Sequence, residues 1–161
     1  MIRLLRRLFA PAEPAISDAQ VRDAGAIATL HADSFRRGWS AQEVEGLLID
    51  RSVVTHRLTL GAAFAGFIMA RCAADEAEIL SIAVDRRRQG RGLARRLLDW
   101  HLRRLAGFGV RTVFLEVDES NTPAIKLYER AGFREISRRP NYYPLSGGKT
   151  ATALVLRRDL M

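Results

Sequence analysis

Ile79-Leu80-Ser81-Ile82-Ala83-Val84-Asp85-Arg86-Arg87-Arg88-Gln89-Gly90-Arg91-Gly92-Leu93-Ala94 is the stretch that decides the fold. Five of its first six residues are apolar, and the six read as a buried strand; its last two open a helix. The helix is expected over 93–106, with Leu93, Leu97, Leu98, Leu102 and Leu105 on one side and Arg95, Arg96, Asp99 and Arg103 largely opposite. Glycines at 90 and 92 join the two elements. A glycine loop that opens a helix leaves backbone N–H groups uncovered beside the helix's positive end, which favours a phosphate or pyrophosphate. A tight strand-to-helix turn that needs glycine for geometry alone is the other reading. No Gly-Lys-Ser/Thr follows, so this is not a Walker loop.

Upstream, three strand-like runs over 53–60, 62–71 and 77–84 are divided by Leu60-Gly61 and Ala73-Ala74-Asp75-Glu76, which reads as antiparallel hairpins. That order contradicts a Rossmann start. A first helix is expected over 21–32, with Val21, Ile27 and Leu30 available to its buried face. Ser40-Ala41-Gln42-Glu43 is a capping box opening a second, short helix. Downstream come a strand over 111–117, a helix over about 122–131 ended by Gly132, and strands over 133–139 and 150–156 around a polar loop. Along 111–117, Val113, Leu115 and Val117 share one face and Phe114 and Glu116 the other.

The 161 residues, 48% apolar and 27% charged, suit one globular domain that buries roughly two thirds of its unfolded surface. No apolar run approaches the roughly 20 residues that span a bilayer. A single cysteine, Cys72, excludes an internal disulfide and a multi-cysteine zinc site. His31, His56 and His101 have no metal-ligand spacing, so no metal is expected. The net charge of +8 comes from arginine, with lysine only at Lys126 and Lys149, and favours anionic partners. Residues 1–15 form a basic amphipathic extension, and the domain is expected over 16–161. The extension lies loosely on the domain or frays, with a membrane-surface or ribosome-contacting tail as the other reading. The absence of export and spanning signals points to the cytoplasm.

Val84 with Gln89-Gly90-Arg91-Gly92-Leu93-Ala94 resembles the Gln/Arg-x-x-Gly-x-Gly/Ala signature of the GCN5-related N-acetyltransferase (GNAT) family. Leu115-Glu116-Val117, Ser120-Asn121-Thr122-Pro123-Ala124-Ile125, Leu127-Tyr128 and Ala131-Gly132-Phe133 are similar to its second half, in the right order. Phe35, Trp39-Ser40 and Asn141-Tyr142-Tyr143-Pro144 look like the RimI-like branch, which acetylates the N-terminal alanine of a small-subunit ribosomal protein. The resemblance implies an α/β fold with a mixed, mostly antiparallel central sheet whose middle strands splay apart for acetyl-CoA. It implies backbone hydrogen bonds from Ile82, Ala83 and Val84 to the pantetheine arm. It implies a pyrophosphate loop of Gly90, Arg91, Gly92, Leu93, Ala94 and Arg95, and a cofactor contact from Asn121. Glu116 would be the general base and Tyr128 the general acid.

Those residue types suit the chemistry. An α-amine, with its ordinary pKa of about 7.7–8.0, must lose a proton before attacking a thioester, and a carboxylate can accept it directly or through water. A tyrosine hydroxyl can protonate the departing thiolate. Without the resemblance, Glu116 reads as a solvated strand residue, Tyr128 as core, and Asn121 before Thr122-Pro123 as a helix N-cap. Tyr142 and Tyr143 would border the acceptor groove or anchor their loop. The branch usually carries an acidic pair before its last strand, where this chain has Gly148-Lys149-Thr150-Ala151-Thr152, and Gly90 stands where the family often has a basic residue. The expected partner is a ribosomal-protein N-terminal tail, with the basic surface meeting the ribosome. The alternatives are acetylation of lysine or a small-molecule amine, or a non-catalytic acetyl-CoA-binding or ribosome-associated module.

Overall fold

The computed structural model describes residues 11–161. The greater part of the expected 1–15 extension lies outside the described residues. Seven strands, β1 (Pro14–Asp18), β2 (Val53–Leu60), β3 (Ala63–Ala73), β4 (Glu76–Val84), β5 (Thr112–Asp118), β6 (Arg134–Pro144) and β7 (Thr150–Asp159), form one sheet. Their order is β1-β2-β3-β4-β5-β7-β6. Every neighbouring pair is antiparallel except β4 and β5. Four helices accompany them: α1 (Ala24–Ser34), α2 (Ala41–Ile49), α3 (Leu93–Gly107) and α4 (Thr122–Arg130). This is the expected mixed α/β architecture.

Two apolar layers flank the sheet, the second over β2–β4 only. On one face Leu97, Leu98 and Leu105 of α3 and Tyr128 of α4 pack with Leu58, Ile68, Ile79, Leu115 and Leu156. On the other, Ala24, Ile27 and Ala28 of α1 and Val44 of α2 cover Phe67 and Met69. The α3 leucines named from their spacing are all buried, and Arg95 pairs with Asp99 at 2.9 Å one turn along the helix. The α2 capping box forms as its sequence dictates. Ser40 Oγ accepts from the Glu43 N–H at 3.1 Å, and Glu43 accepts from the Ser40 N–H at 2.7 Å.

Three details depart from the sequence reading. Val21 is exposed and belongs to a short 3-10 turn before α1, so it is not on that helix's buried face. Strand β1 has no counterpart in the expected elements: it is five residues long, begins at a proline and offers no regular apolar alternation. Pro14 pairs with Leu60, so the sheet starts two residues ahead of the expected domain edge. Strand β6 runs on through the expected polar loop to Pro144, with register shifts on its way.

At the boundary of β2 and α3 two fully buried imidazoles meet, His56 Nδ1 lying 2.7 Å from His101 Nδ1. Such a contact needs one Nδ1 to donate and the other to accept, so protons on both Nδ1 atoms break it. Burial pushes His56 below its ordinary pKa against the opposing pull of Asp18, and Arg104 adds to the lowering. Burial, then His56 itself, pushes His101 down to about 3. The unfolded chain binds protons at these residues from about pH 6.5 downward and the folded chain only at lower pH, so stability is lost as pH falls below that value. The pair is expected to cost about 1–3 kcal/mol of stability at pH 5.5 relative to pH 7.5. Urea unfolding at the two pH values measures this, and an unmoved midpoint would exclude it.

Candidate active site

Strand β4 holds its partner β5 for only part of its length. The parallel pairing runs from Glu76↔Thr112 to Ile79↔Leu115 and stops, although β4 continues to Val84 and β5 to Asp118. The cause is local. Against β3, Met69 faces Ser81 while Ala70 faces Ile79, which leaves Leu80 as an extra, bulged residue. A bulge bends its strand and increases its twist, and this one sits one residue past the last β4–β5 pair. The two strands therefore open into a notch, as a splayed sheet requires.

Ile82, Ala83 and Val84 lie on the β4 side of that notch, paired with β3 opposite Ile68, Phe67 and Gly66. Gly66 was not anticipated as a functional position. A Cβ there would lie 2.8 Å from the Ala83 carbonyl oxygen, so the missing side chain lets β3 and β4 approach. A glycine within an otherwise apolar strand is the signal that could have found it.

Beyond Val84 the chain enters the glycine loop. The Asp85 carboxylate accepts from the Arg87 N–H at 3.0 Å and is paired with Arg88, and Gln89 Nε2 donates back to the Val84 carbonyl at 3.0 Å. Gly90 and Gly92 adopt φ of 76° and 75°, in the left-handed region where a Cβ is disfavoured. A Cβ at either glycine would meet nothing within 4 Å. Glycine is thus needed for the turn, and its bareness leaves the outer side of the loop open. Gly92 is the N-cap of α3 and has no side chain to cap with, and the first helical bond runs from Arg96 N–H to Gly92 O. The N–H groups of Leu93, Ala94 and Arg95 at the positive helix end are therefore not capped by Gly92. Arg86, Arg87 and Arg91 are exposed around them, whereas Arg95 is held by Asp99. Such a helix start, with open backbone donors and exposed arginines, can accept an anion.

Past the parting point on β5, Glu116 lies on the face opposite Val113, Leu115 and Val117, as the alternation predicts, and is half-buried rather than fully solvated. Its Oε1 is 2.8 Å from Arg139 Nη1 of β6, a partner no sequence argument indicated. Strand β7 brings them together, with Glu116 paired to Val155 and Arg139 to Ala153 two residues along. Tyr143 is near enough that the Glu116 carboxylate, after burial, raises its phenol pKa. Tyr128 of α4 is buried against Phe133 at a ring separation of 5.8 Å. Burial, with a further contribution from Tyr143, pushes its phenol up to about 12. Glu116, Tyr143 and Tyr128 are thereby electrostatically linked.

Asn121 forms the helix cap its position suggests, Oδ1 accepting from the Ala124 N–H at 3.3 Å. On the same side of the sheet as α1 and α2, an open cavity of about 480 Å³ has Trp39, Glu43, Leu47, Asp50 and Arg71 on its wall with the bulged Leu80. Cys72 is half-buried, and burial raises its thiol pKa, which makes it a poorer nucleophile. Among the described residues no group of three or more His, Cys, Asp or Glu gathers to hold a metal. No helix among them is long and apolar enough to cross a membrane.

The sequence model of the Acetyltransferase (GNAT) family matches residues 25–133. The [ribosomal protein bS18]-alanine N-acetyltransferase of Escherichia coli K12 is 43% identical over 93 residues, which is 58% of this chain and 63% of that one. The protein of the same name from Haemophilus ducreyi is 39% identical over 90 residues, 56% of this chain and 62% of that one. These matches span less than two thirds of the curated relatives' length. The crystal structure of the ribosomal-protein-S18-alanine N-acetyltransferase from Escherichia coli superposes with a TM-score of 0.85 at 32% identity, over 91% of this chain and 94% of that one.

Replacing Gly66 with alanine is expected to destabilise the fold by about 1–3 kcal/mol, because the added methyl drives against the Ala83 carbonyl. Denaturant unfolding checks it; an unchanged midpoint would mean that β4 yields freely at the notch.

Proposed function

The chain belongs to the GNAT family of acetyltransferases, and on that premise we propose that it moves acetyl from acetyl-CoA to the N-terminal α-amine of a protein. The acceptor is the N-terminal alanine of a small-subunit ribosomal protein, the substrate class named for its relatives. The observation that carries the reading is the notch. It has an anion cradle at the start of α3, unpaired strand edges along its length, and a carboxylate and a buried phenol on β5 and α4.

The residues suit acetyl-CoA as donor. The glycine loop and the first turn of α3 would hold its pyrophosphate, with Arg86, Arg87 and Arg91 adding charge. The backbone of Ile82, Ala83 and Val84 would bind the pantetheine arm, in the way a missing strand partner would. Asn121 has its Oδ1 engaged as a cap, which leaves its amide NH₂ as the group for a cofactor contact. Acetyl-CoA supplies an acyl carbon activated as a thioester.

Glu116 removes the proton that an α-ammonium carries at neutral pH, so that the amine can attack. Tyr128 donates its phenolic proton at the departing sulfur. Burial suits it to that task, because a phenol held at about 12 keeps its proton across the working range. No protein nucleophile is required, and Cys72 is raised, not lowered, in pKa. The net charge of +8 suits approach to a ribosome, where the acceptor tail would be presented.

The test is acetyl transfer to a panel of short peptides, free and blocked at the N-terminus, with lysine-bearing controls. Labelling of the alanine-initiated free peptide alone is expected; labelling of the lysine controls, or of no peptide, would sink this reading. Glu116→Gln and Tyr128→Phe are each expected to lower kcat by about 10²-fold or more while donor affinity holds. Unaffected turnover in either would remove that residue from its role. Tyr128 also makes a pH prediction: because its deprotonation lies near 12, kcat should not fall between about pH 8 and about pH 10. A decline there that Tyr128→Phe abolishes would contradict the raised pKa while still tying turnover to this phenol.

A further inference from the structure

Arg139 has no part in the reaction proposed above, yet it occupies the carboxylate on which that reaction depends. Its Nη1 lies 2.8 Å from Glu116 Oε1, with the glutamate side chain 21% exposed and the arginine 54% exposed. The base is thus largely enclosed, and its partner faces solvent. The guanidinium carbon also stands 5.4 Å from the ring centroid of Tyr142. The backbone builds this arrangement. Between Arg139↔Ala153 and Tyr143↔Ala151, β6 carries three residues against one of β7. Asn141 in that bulge takes a φ of 57°, and its Oδ1 accepts from Thr150 Oγ1 at 2.5 Å. The bulge brings Tyr142 to the arginine three residues before it.

Resting on the acetyl-transfer reading, the geometry points to Arg139 as a positioning residue that gates Glu116: it occupies the carboxylate until the acceptor's α-ammonium displaces it. Two cations cannot both hold one half-buried carboxylate at hydrogen-bond distance without repelling each other. An α-amine with an ordinary pKa of about 7.7–8.0 arrives mostly as a cation and competes for the charge that Arg139 neutralises. The guanidinium can leave, because over half of it is already in solvent and the Tyr142 ring remains beside it as a cation–π partner. A blocked N-terminus brings no cation and leaves the gate shut. In the absence of an acceptor, the shut gate also keeps the carboxylate from activating water. Freed, Glu116 could take a proton from a water as its oxygen bonds to the acyl carbon. The carbon–sulfur bond would then break, and the thiolate would take up a proton to give acetate and CoA thiol.

Arg139→Ala is therefore expected to lower the KM for a free-N-terminus peptide about twofold to fivefold, the worth of an ion pair of this exposure. It is also expected to raise acceptor-independent hydrolysis of acetyl-CoA, while CoA affinity stays unchanged. Arg139→Lys, which keeps the cation, should return both quantities toward those of the unmodified chain. In a Glu116→Gln background, removal of Arg139 should leave peptide affinity, measured by calorimetry with CoA present, where Glu116→Gln alone puts it. Transfer by the unmodified chain tests the underlying acetyltransferase reading; the variants test the gate. Where the unmodified chain transfers acetyl, an unchanged or raised peptide KM in Arg139→Ala overturns the gate. So does a loss of kcat at constant KM, or an effect on peptide affinity that persists without the Glu116 carboxylate.

Discussion

The parting of β4 from β5 beyond Ile79 and Leu115 is the constraint on which the rest of the structure depends. Splitting a sheet leaves backbone N–H and C=O groups without ladder partners, and each such group costs about 1–3 kcal/mol where water cannot reach it. The chain tolerates the split because each strand keeps its outer neighbour. Strand β4 stays paired with β3 as far as Val84, and β5 with β7 as far as Asp118. The notch is thus a seam between two sound half-sheets. The apolar layer under α3 and α4 holds the halves together, joining Ile68 and Ile79 to Leu115 and Leu156, whereas the layer under α1 and α2 lies on the β2–β4 half alone. A polar groove with satisfied walls and free inner edges is a natural receptor for an amide-rich, extended ligand.

Much of this was legible in the sequence, and the exceptions have a common cause. Strand β2 is rich in β-branched residues, the long α3 carries its own periodicity, and the Ser40–Glu43 box writes its own cap, so local chemistry was enough. The loop glycines were recognisable because positive φ after a strand and before a helix is a local demand. The Leu80 bulge was not legible, because a bulge is defined by the partner strand's register and not by the residue bulged. Strand β1 was missed for the same reason: its five residues hold no regular pattern of their own and become a strand by pairing with β2. Alternation along β5 put Glu116 on its correct face, but nothing near Glu116 in sequence points to Arg139. The order β5-β7-β6 places a strand from the far end of the chain between them, and only that crossing brings the two side chains into reach.

The two faces of the sheet set the electrostatic character of the site. Tyr128 belongs to the layer under α4, where burial raises the cost of a phenolate, so its proton is retained. Glu116 points to the other face, beside an arginine and half-exposed tyrosine, where a carboxylate keeps a charged partner. One strand and the helix that follows it therefore place a carboxylate and a phenol in opposite environments. This division follows from strand alternation. A one-residue slip of β5 would turn Glu116 into the core and Leu115 or Val117 out of it, so the apolar residues that stabilise the fold also fix the side on which the carboxylate stands. Fold stability and the orientation of the Glu116 carboxylate are set by the same register.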